Sequence, residues 1–252
     1  MKFEFTHLAK PKLKNPIMIE GLPGIGNVGK IAADFLVENL KAKKIIEINS
    51  DHFPHSVFIN EKNMVELPGL EIYHKKINKQ DFLFLIGDVQ PIDEPSCYEF
   101  CETILKYLRS HKSKELVTLG GIGLQKIPKA PKVYITGNDK KLIKTFPKCN
   151  NKIYGFVGPI IGVTGVLLGI ATKYKLPAVS LLTQTFAHPS YLGIKGSRAT
   201  LDVLNTRYKF KLELSRLSEE IDEIEKEIKA KVQRIAEVEG LETKQNELSY
   251  FG

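Results

Sequence analysis

The segment from 21 to 31 holds the densest group of residues that could bind a ligand. Three glycines form a Gly-x-Gly-x-x-Gly pattern, directly after a short apolar run and before a helical pattern. Glycines at this spacing let a backbone approach the pyrophosphate of a dinucleotide, and an acid about 20 residues later binds the ribose. The candidate cofactor-binding residues are therefore Gly24, Gly26, Gly29 and, at the end of the next predicted strand, Glu47.

The same residues also match a phosphate-loop pattern, in which Gly24 and Gly29 are followed by Lys30. That motif requires Ser or Thr next, to bind magnesium, and this chain has Ile31 instead. The phosphate-loop interpretation is weak for this reason. Glycines are equally required where a tight turn brings a helix close to a strand, with no ligand present. The sequence leaves both interpretations open: a nucleotide site, or a turn packed without a ligand.

Other candidate chemistry is sparse. Cys97 and Cys101 are four residues apart on a predicted helix, but no histidine or second cysteine pair completes a metal site, so we predict buried structural thiols and no metal. His52 and His55 lie in a predicted loop, where histidines usually serve as polar surface residues. No catalytic group of side chains emerges, so we predict that the protein is not an enzyme.

Composition and charge narrow the class of protein. The chain has 252 residues, 42% of them hydrophobic, which is enough for a core without disulfides or metals. Three cysteines, no leading apolar segment and no long apolar run predict a cytoplasmic protein without membrane contact. The net charge is +8, yet its lysines are scattered and lack interleaved aromatic residues. We therefore predict a solvated surface and keep RNA binding only as a third alternative.

Alternating strand and helix patterns predict the fold. A strand at 17–20, a helix at 27–40 and a strand at 44–48 form a βαβ unit with parallel strands. A strand meander at 52–78 follows. Further strands are predicted at 82–86, 116–119, 132–136 and 178–182, with helices at 94–110 and 160–174. The predicted fold class is α/β: a Rossmann-like, doubly wound, mostly parallel sheet of about six strands, occupying residues 1–205.

The C-terminal part of the chain has a different pattern. From about Ser197 to residue 239 the sequence is helical in pattern, without Gly or Pro. Apolar residues there recur at alternating three- and four-residue steps, which is typical of a coiled-coil seam. The seam comprises Leu214, Leu217, Ile221, Ile224, Ile228 and Ile235. We predict a helical extension at 206–240 that packs between chains or onto a partner, with a hairpin onto residues 197–211 as the alternative, and a flexible tail at 241–252.

Several segments resemble the proteasome assembly chaperone family, in its archaeal branch. They are Gly-Leu-Pro-Gly-Ile-Gly-Asn-Val-Gly-Lys-Ile-Ala at 21–32, Gly120-Gly121, the glycine-rich run 158–165, and the strand 179–182 with Thr-Gln-Thr after it. Their order along residues 17–205 makes the resemblance more specific than any single motif. The chain departs from the family at Gln184 and at His188-Pro189, where the family commonly has acids.

The resemblance implies a Rossmann-like fold, homo-oligomers and binding to α-subunits of the 20S proteasome or to its assembly intermediates. It also implies docking through a C-terminal tail with an aromatic residue and a terminal carboxylate. The partner-binding residues would then be Leu248, Tyr250, Phe251 and Gly252, with Phe251 where the family pattern has tyrosine. The alternative function is a nucleotide- or nucleoside-binding enzyme or sensor that uses the Gly24–Gly29 loop.

Overall fold

The computed structural model describes residues 3–60, 62–150 and 158–214. The chain divides into two compact units, Met1–Leu212 and Glu213–Gly252. Almost all of the described residues belong to the first unit, and the fold below is the fold of that unit. In the described part of the chain, no helix is long and apolar enough to cross a membrane.

The described residues form ten strands and five α-helices. The strands are β1 (Glu4–His7), β2 (Ile17–Gly21), β3 (Lys43–Asn49), β4 (Phe58–Ile59), β5 (Val65–Glu66), β6 (Leu70–Ile77), β7 (Gln80–Gly87), β8 (Glu115–Leu124), β9 (Val133–Gly137) and β10 (Ala178–Phe186). The helices are α1 (Val28–Asn39), α2 (Glu94–Ser110), α3 (Lys140–Ile143), α4 (Gly162–Ala171) and α5 (Ile194–Tyr208). A single 3-10 turn, Ile25–Asn27, precedes α1.

Eight of these strands form one mixed sheet in the order β1-β3-β6-β7-β2-β8-β10-β9. Pairing is parallel between β7, β2, β8 and β10, and antiparallel for β1, β6 and β9 with their neighbours. Five strands, β3, β7, β2, β8 and β10, therefore point the same way. Their carboxyl ends define one edge of the sheet, here called the carboxyl edge, and the opposite one is the amino edge. The α/β class is confirmed, with a larger and more mixed sheet than predicted.

Helices cover both faces of the sheet. Helices α2 and α4 contact each other on one face, where Met18, Leu83 and Leu116 join Phe100 and Leu167 in one core cluster. Helices α1 and α5 contact each other and pack on β2, β8 and β10 from the other face. Because β7 is covered on both sides, its side chains are apolar from Phe82 to Ile86, as the predicted buried run at 82–86 anticipated.

Local sequence explains where the longest helix begins. The carboxylate of Asp93 accepts a hydrogen bond from the backbone N–H of Ser96 at 2.8 Å, and Pro95 occupies the first turn. An acidic cap and an early proline are typical helix-start signals, since both suit N–H groups that lack intrahelical partners. The predicted helix at 94–110 is confirmed in full.

Three predictions about the fold were wrong in detail. Strand β3 runs parallel to β2 as predicted, but β7 and β6 lie between them. Strand β8 extends beyond the predicted 116–119 and continues through Gly120–Gly123. The continuous helix from about Ser197 is interrupted: α5 ends at Tyr208, Lys209 has a φ of 56°, and residues 209–213 are not helical.

The interruption after Tyr208 has a physical cause in the packing. The rings of Tyr208 and Phe210 both lie against Phe82, with centroids 5.2 and 5.0 Å away. A regular helix would turn these two residues to different sides, because side chains two positions apart do not share a face. Burying both rings therefore favours leaving the helix at this point.

Candidate binding cleft

A cavity of about 880 Å³ opens at the carboxyl edge. The loop after β2 (Leu22–Ile25), the end of β8 (Leu119–Gly123) and the segment that leads into α4 (Gly158–Gly162) line it, together with Thr164 on α4 and Leu182 on β10. The lining is mostly aliphatic side chains and glycine backbone. Clefts at the carboxyl ends of parallel strands are where α/β proteins usually bind their ligands and partners.

Two of the motif glycines are required by packing. A Cβ atom at Gly29 would overlap with the carbonyl oxygen of Leu119, so the glycine lets α1 lie directly on β8. Gly26 has a φ of +62°, and a Cβ there would lie 2.5 Å from the Thr185 hydroxyl oxygen. The carbonyl of Gly26 accepts a hydrogen bond of 2.7 Å from the N–H of Gly193. These contacts account for both glycines without any ligand.

Gly24 differs from the other two. It lies in extended backbone with a φ of −167°, and a Cβ built on it meets no atom within 4 Å. It also lines the cleft. Of the three glycines in the fingerprint, Gly24 is thus the one whose position packing leaves unexplained.

The structure does not bring Glu47 to this loop. Glu47 lies on β3, and two strands separate β3 from β2, whereas the ribose acid of a dinucleotide site follows the adjacent strand. Its carboxylate binds the Lys44 ammonium group at 2.9 Å. The four predicted cofactor residues, Gly24, Gly26, Gly29 and Glu47, therefore do not assemble into one site.

Lys30 is likewise engaged. Its ammonium group lies 2.8 Å from a carboxylate oxygen of Asp34 and 2.8 Å from one of Asp88. Burial alone would lower the pKa of Lys30, but its hydrogen bonds to the two carboxylates outweigh burial and raise the pKa. The side chain stays charged and clamps α1 to the end of β7.

Sequence analysis missed a buried acid beneath the cleft. Glu20, on β2, is fully buried, and burial raises its pKa to about 8, against hydrogen bonds that lower it. Its carboxyl group accepts hydrogen bonds of 3.2 Å from the Thr164 hydroxyl and from the N–H of Leu22. At neutral pH the group keeps its proton. An acid within the apolar run Ile-Met-Ile-Glu-Gly was the available signal.

Glu20 belongs to a row of polar side chains across three strands. It is in register with Thr118 on β8, which is in register with Ser180 on β10. The hydroxyl oxygens of Thr118 and Ser180 are buried and have no hydrogen-bond partner in the described part of the protein. A buried hydroxyl without a partner lowers the stability of the fold, so few proteins keep one without a reason. This row of polar side chains forms a layer directly under the floor of the cleft.

Gln90 connects the two walls of the cleft, and sequence analysis did not single it out. Its side-chain amide nitrogen donates to the carbonyl of Pro23, and its amide oxygen accepts from the N–H of Val163 at 2.9 Å. One side chain from the β7–α2 loop thereby fixes the glycine loop relative to the start of α4. A glutamine in a loop carries no pattern that marks such a role.

The predicted cysteine environment is confirmed. Cys97 and Cys101 are both buried on α2. The Cys101 sulfur lies 3.9 Å from the carbonyl oxygen of Val163, and burial raises the pKa of its thiol strongly. A thiol that is buried and protonated packs as a small apolar group.

The remaining predicted sites fall at the C-terminus. Leu214, the first residue of the seam, is buried. The other seam residues and the tail lie outside the described residues: Leu217, Ile221, Ile224, Ile228, Ile235, Leu248, Tyr250, Phe251 and Gly252. Their roles therefore remain predictions.

The fold and the sequence of this chain are similar to those of several known proteins. The chain is 31% identical to PbaB of Pyrococcus furiosus, an archaeal proteasome activator, with a TM-score of 0.84 over 92% of this chain and 100% of that one. It is 25% identical to PbaA of Pyrococcus furiosus, an archaeal homologue of proteasome-assembly chaperone, with a TM-score of 0.75 and full coverage of both chains. An uncharacterized protein of Methanocaldococcus jannaschii is 29% identical over 231 residues, 91% of this chain and 85% of the relative.

The family model described as the PAC2 family matches residues 18–232. That range includes the sheet from β2 onward, the glycine loop and the cleft. It confirms the resemblance carried by the motifs at 21–32, 120–121, 158–165 and 179–185. The chain belongs to the PAC2 family, together with the archaeal homologues of proteasome-assembly chaperones.

Proposed function

We propose that the protein is a non-enzymatic chaperone or adaptor, acting in the cytoplasm as a homo-oligomer, that binds 20S proteasome α-subunits or their assembly intermediates. The observation that carries the proposal is the match to PbaB, an archaeal proteasome activator, over 92% of this chain at 31% identity. The match to the proteasome-assembly chaperone homologue PbaA points to the same partner. The cytoplasmic location follows from that partner.

The cleft supports a binding role over a catalytic one. Gly26 and Gly29 serve packing, Glu47 lies two strands away, and the ammonium group of Lys30 is neutralised by two carboxylates. Of the groups that would hold a nucleotide, Gly24 alone is thus left without another role among the described residues. What remains at the carboxyl edge is an apolar, preformed cavity, which suits the burial of an apolar group from a bound molecule.

The C-terminal part of the chain completes the proposal. We place the partner contacts in the predicted extension at 206–240 and in the tail at 241–252. A tail that the sequence predicts to be flexible loses entropy on binding, so it needs strong anchors. The rings of Tyr250 and Phe251 supply apolar anchors. Phenylalanine in place of tyrosine removes one hydroxyl, which weakens docking by about 0.5–1.5 kcal/mol if that hydroxyl is bonded in the relatives.

Deletion of residues 248–252 tests the tail directly. We expect the deletion to abolish capture of recombinant proteasome α-subunits, and Phe251→Ala to weaken capture markedly. Glu247→Ala, a change just outside the deleted residues, is the matched control and should leave capture unchanged. Equal capture by the full chain and by the deleted chain would exclude the tail as the contact.

A second function has one observation in its favour. Gly24 lines the cavity and is not required by packing, so nucleotide or nucleoside binding at the Gly24–Gly29 loop stays a candidate. Calorimetric titration with NAD, ATP and nucleosides decides between the two functions. Micromolar binding that Gly24→Val abolishes, without loss of stability, would support the small-molecule site.

A further inference from the structure

Exposed apolar side chains are concentrated at one edge of the sheet. Among the described residues, twelve large hydrophobic side chains are exposed, and only Leu8 lies away from the carboxyl edge. The others lie on loops and in the first turns of helices at the carboxyl edge: Ile25, Val57, Phe58, Ile59, Met64, Val65, Leu67, Ile92, Tyr98, Ile161 and Leu192. Exposed apolar side chains concentrated in one region of a surface often mark an interaction site.

The β4–β5 hairpin carries the largest share of this surface. Both of its strands are two residues long and exposed, and the flanking Val57, Met64 and Leu67 are exposed as well. Leu67 is 79% exposed and Ile59 is 70% exposed. A two-stranded hairpin is marginally stable in water by itself, so these side chains gain most from being covered by another surface.

The cleft offers a concave surface on the same edge. Ile25 on the glycine loop and Ile161 before α4 both line the cavity, and they are 50% and 82% exposed. The exposed apolar hairpin and the apolar cleft therefore lie on the same edge of the sheet in one chain. A surface with both features can pair with a second copy of itself.

Charged side chains are also unevenly distributed along the carboxyl edge, with acids beside the hairpin and lysines beside the cleft. Among the described residues, the half that bears the hairpin exposes five carboxylates, on Asp51, Glu66, Asp88, Asp93 and Glu94, against the lysine at position 62. Four of these acids already have a neighbouring partner. Asp88 binds Lys30, Glu66 binds Asn60, Asp93 caps the start of α2, and Asp51 lies 3.7 Å from the ring of His52. The loop beside the cleft, between β8 and β9, exposes Lys126, Lys129 and Lys132 and has no acidic residue.

This division makes the edge complementary to a reversed copy of itself. When the acidic half of one copy faces the basic half of another, opposite charges meet, and two halves of like charge avoid each other. The net charge of +8 would otherwise make two copies repel.

We propose that the carboxyl edge is an interface between copies of this chain, in which the β4–β5 hairpin of one copy packs against the cleft mouth of another. Ile25 and Ile161 of the second copy receive the apolar hairpin, and the lysines of the β8–β9 loop face the carboxylates beside the hairpin. This inference rests on the surface of the described residues and stands apart from the proposed partner, since self-association is measured without any proteasome subunit.

Charges placed on the hairpin test the apolar part of the interface. We expect Ile59→Asp and Leu67→Asp in the full chain each to weaken self-association by about tenfold or more, because a carboxylate then loses water in the interface. Both side chains are exposed, so neither change disturbs the core. Leu8→Asp is the matched control, since Leu8 is equally apolar and 52% exposed but lies elsewhere. Sedimentation velocity over a concentration series gives the dissociation constants.

Charge reversal distinguishes a second copy from a foreign partner. Asp51→Lys and Lys129→Glu should each weaken self-association, because each places like charges together. The double variant on one chain restores opposite charges at both ends of the interface, so it should recover most of the wild-type affinity. If the double variant loses as much free energy of self-association as the two single variants together, or more, the result contradicts pairing between copies.

Crosslinking tests whether the hairpin of one copy contacts the cleft mouth of another. Chains with Ile59→Cys, mixed with chains carrying Ile161→Cys and a different tag, should give a mixed-tag crosslink with a short bismaleimide. A Leu8→Cys chain in place of the first should give none. A wild-type chain that stays monomeric, or an oligomer unaffected by both hairpin variants, overturns the proposal and leaves the edge to another protein.

Discussion

The carboxyl edge and the amino edge of the sheet are formed by different types of residue. At the carboxyl edge, glycine turns, an open cavity and exposed aliphatic side chains meet. At the amino edge, Tyr208 donates a hydrogen bond of 2.8 Å to the buried carboxylate of Glu115, and the Arg207 guanidinium group lies over the rings of Phe146 and Tyr208. Phe82 and Phe210 complete this cluster with edge-to-face contacts.

The difference separates stability from recognition. The amino edge is closed by aromatic packing and by a charge-assisted hydrogen bond, so its groups are satisfied within the chain. The carboxyl edge leaves apolar surface exposed and, below it, a protonated acid and two hydroxyls that have no hydrogen-bond partner among the residues that the structure describes. We infer that the amino edge fixes the fold, while the carboxyl edge keeps part of its binding capacity for other molecules.

The largest expected effect concerns Glu20 under the carboxyl edge. The unfolded carboxyl group ionises near pH 4.5, whereas the folded one keeps its proton up to about pH 8. Between these values unfolding releases a proton, so a rise in pH favours the unfolded state. We expect the free energy of unfolding to fall by about 3 kcal/mol from pH 5 to pH 8 through this group.

Glu20→Gln removes this titration while keeping a neutral side chain of the same size. The variant should be more stable than the wild type at pH 8 by about 3 kcal/mol, and nearly equal to it at pH 5. Denaturant unfolding at both pH values measures the difference. Glu38→Gln, at an exposed position on α1, is the control and should follow the wild type. Parallel pH profiles for wild type and Glu20→Gln would refute the protonated state.

A comparable effect is expected at Gly29, on the packed side of the glycine loop. Gly29→Ala forces a Cβ against the backbone of β8 and should destabilise the protein by about 3 kcal/mol. Gly24→Ala, five residues away in the same motif, meets open space and should change stability little. Thermal and urea unfolding check both. Equal losses at the two positions would mean that the loop is not divided into a packed and an open part.

At the amino edge, Tyr208→Phe removes the hydroxyl that binds Glu115. We expect a loss of about 2 kcal/mol, because a buried carboxylate then lacks a hydrogen bond. Tyr98→Phe, at an exposed position near the carboxyl edge, should cost almost nothing. Urea unfolding of the two variants compares the edges directly, and a larger cost for Tyr98→Phe would reverse our assignment.

The smallest expected effect is at Gln90. Gln90→Ala breaks the bonds to the Pro23 carbonyl and the Val163 N–H, and should cost about 1 kcal/mol. It should also speed hydrogen exchange in the glycine loop and at the start of α4, because the two walls are no longer tied together. Gln125→Ala, on the exposed β8–β9 loop, is the control. Unchanged exchange would mean that the walls are held by other contacts.

Periodicity and apolar runs were enough to predict the helix at 94–110, the buried strand at 82–86 and the α/β class. Local signals fix such elements, because caps and apolar periods depend on neighbours in the chain. The same signals failed at Gly120–Gly123, where glycines lie within a strand, and after Tyr208, where aromatic packing ended a helical pattern. Both failures arise from contacts between distant segments.

The glycine motif shows most clearly which properties follow from the sequence and which depend on the tertiary structure. By itself, the sequence determined that a tight glycine turn links β2 to α1, and its motifs identified the family. Only the tertiary structure decided what the glycines do, because strand order, which separates Glu47 from the loop, is set by long-range pairing. The protonated state of Glu20 was likewise decided by the fold, since desolvation depends on what surrounds a group in space.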